Sequence, residues 1–168
     1  SVLAKLTAHV DTGHVLPQHL FEKVLASRYF QSGLMTLRQI EFSIFDIQLH
    51  SSFDVQEGDY LKLLEEIRSK ISVIIPPSYN RFANTFGHIF AGGYAAGYYS
   101  YKWAEVLSCD VFSAFEGKQG DDLRILGQDY LDKILSQGGI RPMMDNFIAF
   151  MGREPQIEAL LKYSGLAE

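Results

Sequence analysis

The sequence predicts an all-α protein. Apolar residues recur at steps of three and four along most of the chain, no stretch sustains the one-in-two alternation of a half-buried strand, and the periodic runs break at proline and glycine. With 168 residues and an apolar content of 47%, the chain can build a real core. No linker, repeat or low-complexity tract divides it, so residues 1–168 read as one helical segment.

The elements follow in order. "SVLAKLTAHV" places Val2, Leu3, Leu6 and Val10 at helical spacing, yet only Ser1 precedes them as a cap, so the chain is expected to begin partway through something larger. "DTGHVLP" reads as a turn, and Pro17 is well placed at the first position of a second helix that runs to about Ser27 and buries Leu20, Phe21, Val24 and Leu25. A third helix is expected from about Ser32 to His50. Its apolar positions Leu34, Leu37, Ile40, Phe42, Ile44, Phe45, Ile47 and Leu49 leave little room for an exposed face, which makes it central.

The run "DVQEGDYLKLLEEIRSKISV" gives a more surface-like helix with Leu61, Leu64, Ile67 and Ile71 on one side, ended by Pro76 and Pro77. After an irregular stretch, a long helix is expected from Ala95 to about Phe115. Three more lie near Asp121 to Ser136, Pro142 to Met151 and Pro155 to Tyr163, separated by "QGGIRP" and "GREP".

Composition excludes some classes of function. A net charge of -5 with scattered acidic residues offers no basic face for nucleic acid. No run approaches the ~20 apolar residues of a membrane span, and the start lacks the basic head and apolar core of a signal peptide. Cys109 has no cysteine partner and sits among Val106, Leu107 and Val111, as a small core residue in a reducing compartment does; a cytoplasmic location is expected.

The usual signatures of helical hydrolases are missing. None of the five histidines is followed by glutamate, so HExxH, in which two histidines one turn apart bind zinc, does not occur. His9, His14 and His19 recur at a step that does not align them on one helix face, and no metal site is assigned to them. There is no GxSxG, and the pair Gly92 and Gly93 lacks the spacing of a phosphate loop.

What stands out is "FGHIFAGGYAAGYYSYKW", residues 86–103. If a helix begins near Tyr94, then Tyr94, Tyr98, Tyr101 and Glu105 share one face, while Tyr99 and Trp103 form an adjacent line suited to the core. A tyrosine stripe of this kind serves core or interface more often than chemistry. The other reading uses the phenols, neutral at pH 7, as hydrogen-bond donors to a carbonyl or a developing oxyanion, with His88 as a further donor and the glycines as a hinge.

This stretch and its continuation to Phe112, together with "LPQHLFEKVLASRYFQSGLMTLRQIEFSIFDIQLH" upstream, resemble the C-terminal part of the thimet oligopeptidase family of zinc metallopeptidases. The resemblance extends from about Thr12 to the C-terminus. It implies a multi-helix part of a zincin-like catalytic domain that cleaves short peptides, with zinc bound by HExxH residues that would precede Ser1. It also implies roles for individual residues. His88 would contact the substrate backbone, Tyr101 would stabilise the tetrahedral intermediate, Tyr94 and Tyr98 would face the substrate, and Gly92 and Gly93 would form a mobile loop.

On this reading the chain needs the missing N-terminal portion and its zinc, binds no metal by itself and is inactive alone. Uncovered apolar surface would then favour self-association. The alternative is a helical module that binds peptides or a partner protein without catalysis.

Overall fold

In the computed structural model the described residues are 6–167, and they form helices and turns with no strand among them. The chain divides into two compact units, Ser1–Ser32 and Gly33–Glu168.

In the first unit Pro17 stands at the N-cap of α1 (Gln18–Ser27), and its carbonyl accepts from the Leu20 and Phe21 amides at 3.0 and 3.1 Å. The helix is where the sequence predicts it, but its expected burial is not. None of its residues is buried, and Leu20, Val24 and Leu25 stand exposed. A ten-residue apolar stripe needs another element to cover it, and within residues 6–32 there is no second long helix. Residues 1–5 of the expected first helix lie outside the described residues; Leu6 and Val10, assigned to its apolar stripe, are exposed.

The second unit is built on α2 (Ser32–Ser51) and α3 (Tyr60–Ile71). The Asp59 carboxylate caps α3 by accepting from the Leu61 and Lys62 amides. Ser72 then turns extended, and the helix ends before the prolines. Leu64 and Ile67 are buried against Phe42 and Phe45 of α2.

The central helix nevertheless differs from the apolar rod expected of it. Its buried residues are Glu41, Phe42, Phe45 and Asp46, while Ile40 and Ile47 are exposed. Glu41 survives burial because it is paired: Arg68 Nε donates to Oε1 at 2.9 Å and Ser72 Oγ to Oε2 at 2.6 Å. Arg68 is itself buried and reaches Asn80 at 3.3 Å, so one ionic network joins α2, α3 and the loop after it.

Two one-turn helices, α4 (Phe82–Thr85) and α5 (Gly87–Phe90), occupy the stretch expected to be irregular. They deliver Ala83, Phe86 and Ile89 into the first core, where Phe42 stacks on Phe82 with centroids 4.3 Å apart.

The helix expected from Ala95 starts only at Ser100. Ala96 adopts φ +54°, a left-handed conformation that a right-handed helix cannot contain. From there α6 (Ser100–Ser113) runs into a second core of Leu107, Val111, Ile134 and Phe147.

The remaining elements enclose that core. Helix α7 (Gly120–Tyr130) widens into a π turn over Leu131–Leu135, where the Ser136 amide reaches the Leu131 carbonyl at 2.8 Å and Ile134 is buried. Helix α8 (Met143–Met151) ends on Gly152 at φ +72°, a left-handed cap that glycine adopts at little cost. Helix α9 (Glu158–Tyr163) closes the chain.

Candidate functional site

The tyrosine stretch forms a turn, not a helix face, yet it still gathers the four side chains singled out in the sequence. The His88 ring lies 6.1 Å from Tyr94, 5.6 Å from Tyr98 and 6.2 Å from Tyr101. Tyr101 completes the cluster at 5.1 Å from Tyr94 and 5.3 Å from Tyr98. These centroid spacings are those of favourable tilted and edge-on aromatic contacts.

Backbone bonds shape the turn. The Ala91 and Gly92 amides both donate to the Gly87 carbonyl at 2.8 Å, Tyr94 donates to His88 at 3.1 Å, and Gly97 donates to Tyr94 at 2.8 Å. The two glycines serve this geometry in different ways. A Cβ on Gly92 would stand 2.9 Å from the His88 carbonyl oxygen, whereas Gly93 has open space but φ +77°. One is required by close approach and the other by backbone conformation.

The three tyrosines are not equivalent. Tyr98 is 8% exposed and packs edge-on to Phe42 and Phe86, and its hydroxyl donates to Gln39 Oε1 at 2.9 Å. Burial pushes this phenol above its ordinary value, and Arg38 opposes that shift. Tyr98 therefore anchors the cluster in the first core.

Tyr94 and Tyr101 are 37% and 40% exposed, and His88 is exposed beside them. Contact with the Tyr94 phenol is the main influence raising Tyr101 above the ordinary phenol range, followed by burial and the neighbouring phenols. Tyr101 thus stays protonated at neutral pH, as a hydrogen-bond donor must. The accessible face carries two phenols and an imidazole, able to donate to one carbonyl oxygen or its anion.

Tyr99 and Trp103, expected to pack inward, are exposed instead. The late start of α6 turns that line away from both cores. Cys109 is half-buried, and burial is the main cause pushing its thiol above its usual value, which suits a packing residue better than a nucleophile.

Sequence reasoning missed Asp46. Fully buried on α2, it accepts from the Ala96 amide through Oδ1 and from the Tyr98 amide through Oδ2, each at 2.9 Å. The signal was present, because residues 42, 45, 46 and 49 fall on one helical stripe and Asp46 is its single polar member.

A zinc ion does not fit these residues. Among the described residues no three of histidine, cysteine, aspartate and glutamate lie together, and neutral phenols are not the thiolate, imidazole or carboxylate donors zinc takes. Among the described residues no helix is long and apolar enough to cross a membrane.

With this geometry in place, the comparisons with known proteins agree on one relationship. The model of peptidase family M3 matches residues 1–166. The chain is 48% identical over 165 residues to oligopeptidase A of Escherichia coli (strain K12), an alignment covering 98% of this chain and 24% of that protein. It is 43% identical to the probable cytosolic oligopeptidase A of Arabidopsis thaliana and 34% identical to saccharolysin of Saccharomyces cerevisiae, covering 24% and 23% of those proteins. The chain therefore spans about a quarter of the length of these relatives. With the family model covering nearly every residue, the chain belongs to peptidase family M3.

Proposed function

We propose that this chain is the substrate-side wall of a zinc-dependent oligopeptidase that hydrolyses internal bonds of short peptides. The observation that carries the reading is the convergence of His88, Tyr94 and Tyr101 on one accessible face, anchored by Tyr98.

When bound by the rest of the enzyme, zinc would supply Lewis acidity and an activated water. This chain supplies the opposite side. Tyr101 donates its hydroxyl proton in a hydrogen bond to the carbonyl oxygen as negative charge builds there, and Tyr94 holds that phenol in place. His88 binds the peptide backbone beside it, and Gly92 and Gly93 give the loop the shape, and the freedom, to bring these donors to the peptide. Tyr98, whose hydroxyl is engaged by Gln39, fixes the position of the wall from beneath. Without the metal and the general base the segment is inactive alone.

Exposed Val73, Ile74, Ile75 and Ile140 are surface of the kind that packs against further chain, which supports the remainder of the peptidase as the partner. The name of the plant relative, a probable cytosolic enzyme, supports a cytoplasmic location.

The test is kinetic, in a full-length peptidase containing this segment. An oriented oxyanion donor is worth about a hundredfold in turnover, so Tyr101→Phe is expected to lower kcat by about that factor. An unchanged kcat would sink the assignment.

A further inference from the structure

We propose that Asp46 is a positioning residue for the peptidase reaction, holding the tyrosine turn in its working shape from inside the first core; this rests on the function proposed above. The Asp46 side chain is completely buried, and among the described residues no lysine or arginine is paired with it. Its charge is met instead by N–H groups of the turn it faces. Oδ1 takes the Ala96 amide and Oδ2 the Tyr98 amide, across about fifty residues of sequence.

A third donor comes from its own helix. His50 Nδ1 lies 2.9 Å from both Asp46 Oδ1 and the Asp46 backbone carbonyl. Both of these atoms only accept, so a hydrogen bond here requires the imidazole proton on Nδ1, where the carboxylate and the carbonyl share it.

The placement of the two amides is what makes the contact functional. Ala96 holds a positive φ without being glycine, a conformation that persists only where surrounding structure enforces it, and its amide is one of the two that Asp46 grips. The Tyr98 amide is the other, and the Tyr98 ring contacts both His88 and Tyr101. Fixing the backbone at 96 and 98 therefore fixes where α6 begins and where the Tyr101 hydroxyl points. Asp46 touches none of the reacting atoms and acts through Tyr98 and Tyr101.

Asp46→Asn keeps the shape but replaces one acceptor with an amide NH2 that opposes a backbone N–H. In a full-length peptidase containing this segment, Asp46→Asn is expected to lower kcat by about tenfold or more while KM shifts less than about threefold, because a misplaced donor costs transition-state stabilisation more than ground-state binding. Amide exchange at Ala96 and Tyr98 should accelerate about tenfold while Phe42 and Phe45 stay protected, as local opening requires.

Unchanged exchange at Ala96 and Tyr98 would overturn the proposal. So would faster exchange with unchanged kcat, provided Tyr101→Phe does lower kcat. If Tyr101→Phe leaves kcat intact, the functional reading fails, and the exchange data still decide whether Asp46 holds the turn.

Should Asp46→Asn lose protection throughout α2, Ala96→Val decides from the other side. Ala96 is exposed, so a β-branched residue there strains the positive φ and pulls the amide from Asp46 without entering the core. The same loss of kcat with α2 protected supports the proposal, and an unchanged kcat overturns it.

Discussion

The two cores of the larger unit each contain a buried aspartate that reaches across more than forty residues to seize a distant turn, and they balance its charge differently. Asp110 on α6 receives a bidentate pair from Arg153, both bonds at 2.7 Å, and accepts from the Gln156 amide at 2.8 Å. Asp46 receives two backbone amides and one imidazole, and no guanidinium. An aspartate paired with arginine brings its countercharge with it and serves as a staple. One paired with amides depends on the exact conformation of the backbone it binds, so it enforces that conformation. The staple lies beneath the C-terminal turn, and the enforcer beneath the tyrosine cluster.

The cores around the two aspartates provide the strongest way to break this contrast. Phe45 and Phe147 are both fully buried, and truncating either to alanine should cost about 3–4 kcal/mol in urea unfolding. Phe45→Ala is expected to loosen the turn at Ala96 and Tyr98 as well, read as faster amide exchange there, while Phe147→Ala leaves those amides protected. Equal effects on the turn would mean that the two cores are not separate in function.

Arg153→Ala comes next, at about 2 kcal/mol. That is below the loss for a fully buried pair, because the guanidinium is 36% exposed and Gln156 remains as a donor. The pair also predicts a pH dependence. Arg153 is the main cause holding the Asp110 carboxyl below its ordinary range, against the opposing effect of burial. Its contribution is therefore full above about pH 4, the unfolded carboxylate value, and is lost as pH falls through the lower folded value. Urea midpoints measured down the acid limb should fall less steeply in Arg153→Ala; an unchanged slope would remove Asp110 as the group responsible.

Tyr98→Phe should have the smallest effect, about 1 kcal/mol for the lost bond to Gln39, with the ring still in the core. In a full-length peptidase its kcat should change much less than in Tyr101→Phe, which separates the anchor from the donor. Equal losses in the two variants would erase that distinction.

Much of this molecule was legible as pattern. The all-helical class, the helix start at Pro17, the break at Gly152 and the order of the long helices followed from periodicity and from backbone chemistry that acts within a few residues. The tyrosine cluster was legible for a different reason: its residues lie within fourteen positions of one another, so any compact turn brings them close. The helical stripe proposed for them was wrong in mechanism, since Tyr94 precedes α6 altogether.

Burial was less legible. Leu20, Val24, Leu25, Ile40, Ile47 and Trp103 carry apolar side chains and stand exposed, while Glu41, Asp46, Arg68 and Asp110 are charged and buried. Side-chain type states a preference for water, but whether water is excluded depends on what packs alongside. For a charged group it depends on partners as far as 52 residues away.

Local chemistry thus determined which residues were available: phenols, an imidazole next to them, and glycines where a Cβ has no room or no allowed φ. Folding determined their separate surroundings. It placed Tyr98 in the core and left Tyr101 at the surface, because Asp46 grips one side of the turn and Gln39 takes one hydroxyl and not the other. Those contacts join positions 39 and 46 to 96 and 98, a separation at which short-range periodicity carries no information and only the closing of the chain can set the geometry.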